Sequence, residues 1–394
     1  MFSVLFFGLL PVLLSSPFLL AQADATTHFN EMKPQITGRL TGYDPVEDAE
    51  LTLKFACVVP TPKRQEVHVV RPEADGSFAF QPAYPLRYQQ VWFSIGNHYY
   101  GELVVDRGLS IVADLSVLKA KKQAYSSESV RFEGPDGELC RFVNAYNVFR
   151  KRHRSKDNAK IELMMNRSLA ADEKSRRLKD FYVEQATLEK NFLKANPSSY
   201  AWVLENERLS EYYGELFVLH WGREMPADLY EEAVAHQPRL ISNAGMSHYY
   251  GYLSTYLFRA DDREELALFQ EALLPGIAIP EEAARLRALI ELQQRKIEGQ
   301  PYDEAQYGQE FSYFFRQYER EIHRAKVDAF IKQTAALPAE KRDMVKLVGG
   351  GEDIWQREQY VGKVLPTVHH AWCADLLRRD WEATREQLAA ARKR

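Results

Sequence analysis

Cysteine is scarce in this chain: Cys57, Cys140 and Cys373 are the only three among 394 residues. A small exported domain stapled by disulfides carries a dense, even set of cysteines. This fold must therefore rest on its apolar cores; one pair could form, and the spacing does not say which. A charge excess is missing as well. The 51 Lys and Arg nearly balance 55 Asp and Glu, for a net charge of -4, and no nucleic-acid partner is expected from such a balance. The basic end, Ala390-Ala391-Arg392-Lys393-Arg394, is too short to be a binding surface. Beyond residue 20 no apolar run reaches the roughly 20 residues needed to cross a bilayer. Catalytic signatures are also missing. There is no Gly-x-Ser-x-Gly elbow, no His-Glu-x-x-His and no phosphate loop ending in Gly-Lys-Ser/Thr. Gly349-Gly350-Gly351 lacks the basic residue and hydroxyl of a phosphate loop and reads as a flexible hinge. Asp261-Asp262 and Glu281-Glu282 are sequence neighbours. Such pairs do not face each other on a helix and read as helix-start charge. No cofactor is expected.

The stretch from Met1 to Leu20 contains no ionisable side chain, and Ala21-Gln22-Ala23 follows it. An apolar run ended by a small-x-small triplet is the pattern of an export signal cut after Ala23. Pro11 and Pro17 interrupt helical hydrogen bonding and favour cleavage over a retained anchor. Residues 1–23 are accordingly read as a signal peptide and the mature chain as beginning near Asp24. The expected location is the periplasm or cell envelope, with no membrane span after cleavage.

From Gln35 to about Leu118 the apolar pattern has a period of two. Leu51, Leu53, Phe55, Cys57 and Val59 share one strand face, and Val91, Phe93 and Ile95 repeat the alternation. Asp75-Gly76 and Gly96-Asn97 supply turns. About seven short strands make residues 28–120 an antiparallel β-sandwich. Residues 121–136 read as a linker. After Gly137 the period becomes helical, with Leu139, Phe142, Val143, Tyr146 and Phe149 on one stripe. Residues 137–394 read as an irregular, all-helical domain, so the expected fold class is α+β. Asn196-Pro197-Ser198-Ser199 stops one helix and starts the next. Tyr307, Phe311, Phe314, Tyr318 and Ile322 form a seam along one long helix starting near Asp303.

Three side chains are candidates for chemistry. Cys140 opens a helix, where a thiol pKa can fall, but the cations Arg150 to Arg154 lie toward the far end. His369 and Cys373 stand four apart, on one face of the expected last helix, from which both could reach a metal. Two ligands do not close a site. Trp372-Cys373 is followed by Ala374, Asp375 and Leu376, with no second Cys three residues on, so no dithiol cycle is available. Aromatics are in slight excess, 21 Tyr, 21 Phe and 6 Trp, and read mainly as helix-interface filling.

The order of parts resembles a known family. Ile36-Thr37-Gly38-Arg39-Leu40-Thr41-Gly42 opens the sandwich, Asp75-Gly76-Ser77-Phe78 follows, and Phe132-Glu133-Gly134-Pro135 leads straight into a helix. A later helix ends Phe192-Leu193-Lys194-Ala195-Asn196-Pro197-Ser198-Ser199-Tyr200. Residues 30 to 210 thus look like the front part of exported bacterial thiol–disulfide interchange proteins of the TlpA type. The resemblance implies a sandwich and a helical segment preceding a thioredoxin domain. That domain and its Trp-Cys-x-x-Cys motif have no counterpart here, so no catalytic residue carries over. The leading expectation is a non-catalytic binding or scaffolding module with protein or peptide partners in the envelope. A second is part of a disulfide reductase whose thioredoxin domain lies beyond Arg394. A third is a hydrolase with an unrecognised site in a cleft lined by His248, Tyr249 and Tyr250, or by His220 and Trp221.

Overall fold

The structure is a computed structural model describing residue 29 and residues 32–120, 123–125, 128–153, 157–258, 262–350 and 354–391. The signal-peptide reading of residues 1–23 lies outside the described residues. The fold is α+β: strands fill residues 36–133 and helices follow. In chain order the strands are β1 (Ile36–Thr41), β2 (Leu53–Val58), β3 (Gln65–Val70), β4 (Ser77–Phe80), β5 (Gln89–Ile95), β6 (Tyr99–Val105), β7 (Leu109–Asp114), β8 (Gln123–Ala124) and β9 (Val130–Glu133). One sheet has the order β4-β1-β7-β9 and the other β3-β2-β5-β6-β8.

The alternation read from the sequence is the packing. Leu53, Phe55, Cys57, Val91, Phe93 and Ile95 point into one apolar core shared by both sheets. Phe55 of one sheet stacks on Phe80 of the other at 4.4 Å. Each such ring, fully buried, contributes about 1.5–3 kcal/mol. Two details differ from an all-antiparallel sandwich. β1 runs parallel to β7, and β6 runs parallel to β8. The stretch read as a linker, 121–136, supplies β8 and β9, and β9 closes the edge of the first sheet beside β7. Asp136 then fixes the exit. Its Oδ2 accepts from the backbone N–H groups of Asp106, Arg107 and Gly108 at 2.9, 2.8 and 2.7 Å, which ties the β6–β7 turn to the helix that follows.

A short helix, α1 (Leu115–Ala120), follows β7, and the main helical region comprises α2 (Gly137–Arg152), α3 (Asp157–Met165), α4 (Ala171–Ala195), α5 (Ala201–Leu219), α6 (Ala227–Ala235), α7 (Gly251–Phe258), α8 (Asp262–Ala267), α9 (Pro280–Ile297), α10 (Glu304–Gln317), α11 (Glu319–Thr334), α12 (Ala339–Val348), α13 (Ile354–Val364) and α14 (Ala371–Ala391). A π-helical segment, Asn243–Tyr250, runs directly into α7. The aromatic seam from Tyr307 to Ile322 packs as one cluster with Phe269 and Leu286, but on two helices rather than one. Tyr318 leaves helical conformation (φ -119°) and gives its hydroxyl to Glu282 on α9.

The two regions are not separate bodies. α2 lies on the outer face of the five-stranded sheet, where Val104 packs with Leu139, Phe142, Val143 and, from α4 and α5, Phe192, Val203 and Leu204. Backbone bonds reinforce the contact: Gln90 N–H donates to the Ile241 carbonyl at 2.9 Å, and Ile241 N–H to that of Tyr88 at 3.2 Å.

Candidate functional site

Strand alternation sends Gln90, Trp92 and Glu102 away from the sandwich core, onto the face that α2 covers. Beside the apolar contact around Val104 the covering is incomplete and leaves a cavity of about 230 Å³. Each wall follows from local periodicity. Val143, Tyr146, Asn147 and Arg150 stand one turn apart on α2, as do Leu204, Glu207 (with Arg208) and Glu211 on α5. Phe181, Tyr182, Gln185 and Glu189 come from α4, and Asn243, Ala244 and His248 close the far side from the π-helix.

The wall is a polar network. Glu102 accepts from Gln90 Nε2 at 2.7 Å and from Asn147 Nδ2 at 2.6 Å. Gln90 Oε1 accepts the N–H of Asn243 at 3.0 Å, which links the sheet to the π-helix. Glu189 pairs with Arg208 at 2.8 Å. Lys160 lies 2.8 Å from Glu215 and 3.6 Å from Glu211. Tyr182 donates to Glu215 at 3.0 Å. His248 Nδ1 lies 3.7 Å from Glu211.

These surroundings separate the carboxyls. Burial raises Glu102 and Glu189 above the ordinary range, against the hydrogen bonds that stabilise their charge. Burial pushes Glu207 up to about 8, with the charges of Glu102 and Glu211 adding to it and a hydrogen bond to Ser242 opposing. One turn on, burial also raises Glu211, but Lys160, Arg150 and His248 outweigh it and hold that carboxyl below its usual value. Burial lowers His248, and Glu211 offsets part of the effect. Arg150 is the common cation: its field favours the charged form of Glu102, Glu189, Glu207 and Glu211 alike. Glu207 and Glu211 are thus an acid and a carboxylate one turn apart on one helix at neutral pH.

Gly214 on α5 allows the π-helix to come this close. A Cβ there would sit 2.1 Å from the His248 carbonyl oxygen. The extra residue of a π-turn is a frequent mark of functional sites, and here it carries His248 to the cavity wall, with its ring stacked on Tyr252 at 5.7 Å.

The side chains singled out in the sequence lie elsewhere. Cys140 is buried in the first turn of α2, with Sγ 3.5 Å from the Val104 carbonyl, and burial raises its thiol. The basic run noted there contains the residue that matters, Arg150. Cys373 is buried in the helical core, and burial raises its thiol too. His369 does not share a helical face with Cys373, because α14 starts only at Ala371. The cause is Asp343, fully buried, whose Oδ2 accepts the backbone N–H groups of His369 and His370 at 2.8 and 2.7 Å and holds both ahead of the helix. Among the described residues, no group of three or more His, Cys, Asp or Glu is arranged to hold a metal. All three cysteines are free and buried. Of the proposed cleft residues, His248 lines the cavity, whereas Tyr249 and Tyr250 are core side chains. The cavity glutamates were missed, since i, i+4 glutamates on an amphipathic helix read as its solvent face; the signal was that Glu207 and Glu211 flank a stripe already rich in Tyr.

Compared with family models, curated proteins and solved structures, the chain matches none of them.

Proposed function

We propose that this is an exported envelope protein acting as a non-catalytic binding module, and that the cavity between sheet and helices is where it holds its partner. The export reading rests on residues 1–23, and the module reading on the TlpA-type order of parts without a Trp-Cys-x-x-Cys motif. The observation that carries the binding role is the cavity itself. Bringing four glutamates, Arg150, Arg208 and His248 together out of water costs stability, and the chain leaves the space they surround unfilled. At about 230 Å³ the space is below the roughly 300–1,000 Å³ of small-molecule pockets. It matches one inserted side chain of a peptide or protein partner, with Trp92, Tyr146 and Phe181 flanking it. Glu189 is matched by Arg208 and Glu211 by Lys160, so the protonated Glu207 is the open position, and a basic side chain would displace its proton.

Calorimetry with short Lys- and Arg-containing peptides tests this. Binding at pH 7 should release a proton, seen as a heat that changes with the buffer, and E207Q should abolish the release. Peptide affinity unaffected by filling the cavity with A244W would sink the proposal. Insulin reduction tests the non-catalytic part: turnover above that of a cysteine-free variant would rule it out.

One observation favours a second reading, a hydrolase. Glu207 and Glu211 have the opposed protonation of a general acid and a base, with His248 beside the base. A bell-shaped pH dependence of hydrolysis, lost in both E207Q and E211Q, would establish it over the binding role.

A further inference from the structure

Farther along α5 and α7, past the π-helix, lies a second concavity, of about 620 Å³. Its walls are aromatic: Phe217, Trp221, Tyr252 and Tyr256 line it, and Trp221 is 46% exposed. Two cations, Arg64 and Lys326, border it, and no Asp or Glu is among its lining residues. Tyr252 is a shared wall, because the ring that borders this groove stacks on His248 of the cavity already described.

Arg64 is the informative residue. It ends the β2–β3 connection, where the Arg64 N–H donates to the Thr61 carbonyl and the Val59 N–H to that of Arg64, both at 2.9 Å. Its φ is +61°, in the left-handed region that long side chains avoid. Glycine or asparagine would meet the needs of the turn better, so the turn alone does not account for an arginine. The guanidinium reaches over the helical region to within 3.7 Å of where a Cβ on Gly251 would lie, and no carboxylate among the described residues pairs with it. Lys326, by contrast, has Glu265 at 3.9 Å and lies over the Phe315 ring. The floor is bare backbone. Gly349 and Gly350, read from sequence as a hinge, are packed close: a Cβ on Gly349 would meet the Tyr360 hydroxyl at 2.5 Å, and one on Gly350 the Arg357 guanidinium at 2.2 Å.

We infer that this groove is a second binding site, taking an amphiphilic anion: a flat apolar body laid against Trp221, Tyr252 and Tyr256, with one acidic group held by Arg64. Aromatic walls recognise the body through area and ring stacking. The cation carried on a strained turn recognises the charge, and strain of this kind clusters where a side chain must be aimed.

Fluorescence titration of the full chain with 1-anilinonaphthalene-8-sulfonate, against its uncharged relative N-phenyl-1-naphthylamine, tests the inference. The sulfonate should bind more tightly than the neutral probe. R64G relieves the turn while deleting the cation. It should keep or raise Tm, weaken the sulfonate about tenfold, as expected for losing one charge-assisted contact, and leave the neutral probe unchanged. W221A should weaken both probes. Equal binding of the two probes, or a stably folded R64G that binds the sulfonate like the parent chain, would overturn the inference.

Discussion

The sandwich and the helical region bury different things. Between the sheets the core is apolar side chain on apolar side chain, and the buried acids of that half, Asp48, Glu102, Asp106 and Asp136, lie outside it. The helical core buries ions. Arg357 and Asp380 pair at 2.9 Å, both nearly inaccessible. Lys341 is enclosed by the carbonyls of Val234 and His236 and the Tyr249 hydroxyl, and burial lowers its pKa to about 8. Lys346 donates to the Thr367 carbonyl at 2.9 Å. A sheet satisfies its own backbone and can be dry. Short helices meeting at many angles leave carbonyl ends facing inward, and buried Lys and Arg answer them.

The sharpest way to break this contrast is at Arg357. R357A should cost about 3–5 kcal/mol in urea unfolding, because Asp380 is left buried and unpaired, whereas R357M combined with D380L should recover most of the loss. A single mutant that costs no more than the double would mean that the pair is solvated. At the rim of the sandwich, D136A removes three charge-assisted acceptor contacts and should cost about 2–3 kcal/mol. A loss under 1 kcal/mol would show that water replaces them.

The cavity between the regions predicts a pH effect. Glu207 titrates near 8 when folded, against an ordinary 4.5. Between those values the folded chain holds a proton that the unfolded chain has released. Stability is therefore greatest below about pH 4.5 for this group and falls as pH rises through 8. The loss is on the order of 5 kcal/mol, and E207Q should flatten the curve; an unchanged slope in that variant would remove Glu207 as its source. The smallest effect expected is on the thiols. Cys57 is pushed up to about 12 by burial, and all three cysteines are buried, so a thiol reagent at pH 8 should label the native chain only as fast as it unfolds. Rapid labelling of any one of them would show that its core opens.

How far the sequence foretold this depended on whether an element's partner was local. Leu53, Phe55, Cys57, Val91, Phe93 and Ile95 announced a buried strand face by spacing alone, and all six are in the core. The helix over Leu139 to Phe149 was equally plain, as was the stop at Asn196-Pro197. β9 was not, because four residues bounded by polar sequence become a strand only when β7 offers an edge. Nor was the cavity. Gln90, Trp92 and Glu102 are what any solvated sheet face would carry, and only the docking of α2 makes them an interior. The His369–Cys373 spacing misled for the same reason: Asp343, 26 residues earlier than His369, decides where α14 begins.

The single residue Ile241, set beside Tyr88, Gln89 and Gln90 at the start of β5, has a consequence for how the molecule comes apart. It is a rivet placed where the two halves meet, and it holds through main-chain groups that no substitution short of proline can delete. Prying the helices off the sheet would have to tear this seam and wet the charged chamber behind it in one event, so the halves should melt together and a protease should find no halfway form to trim.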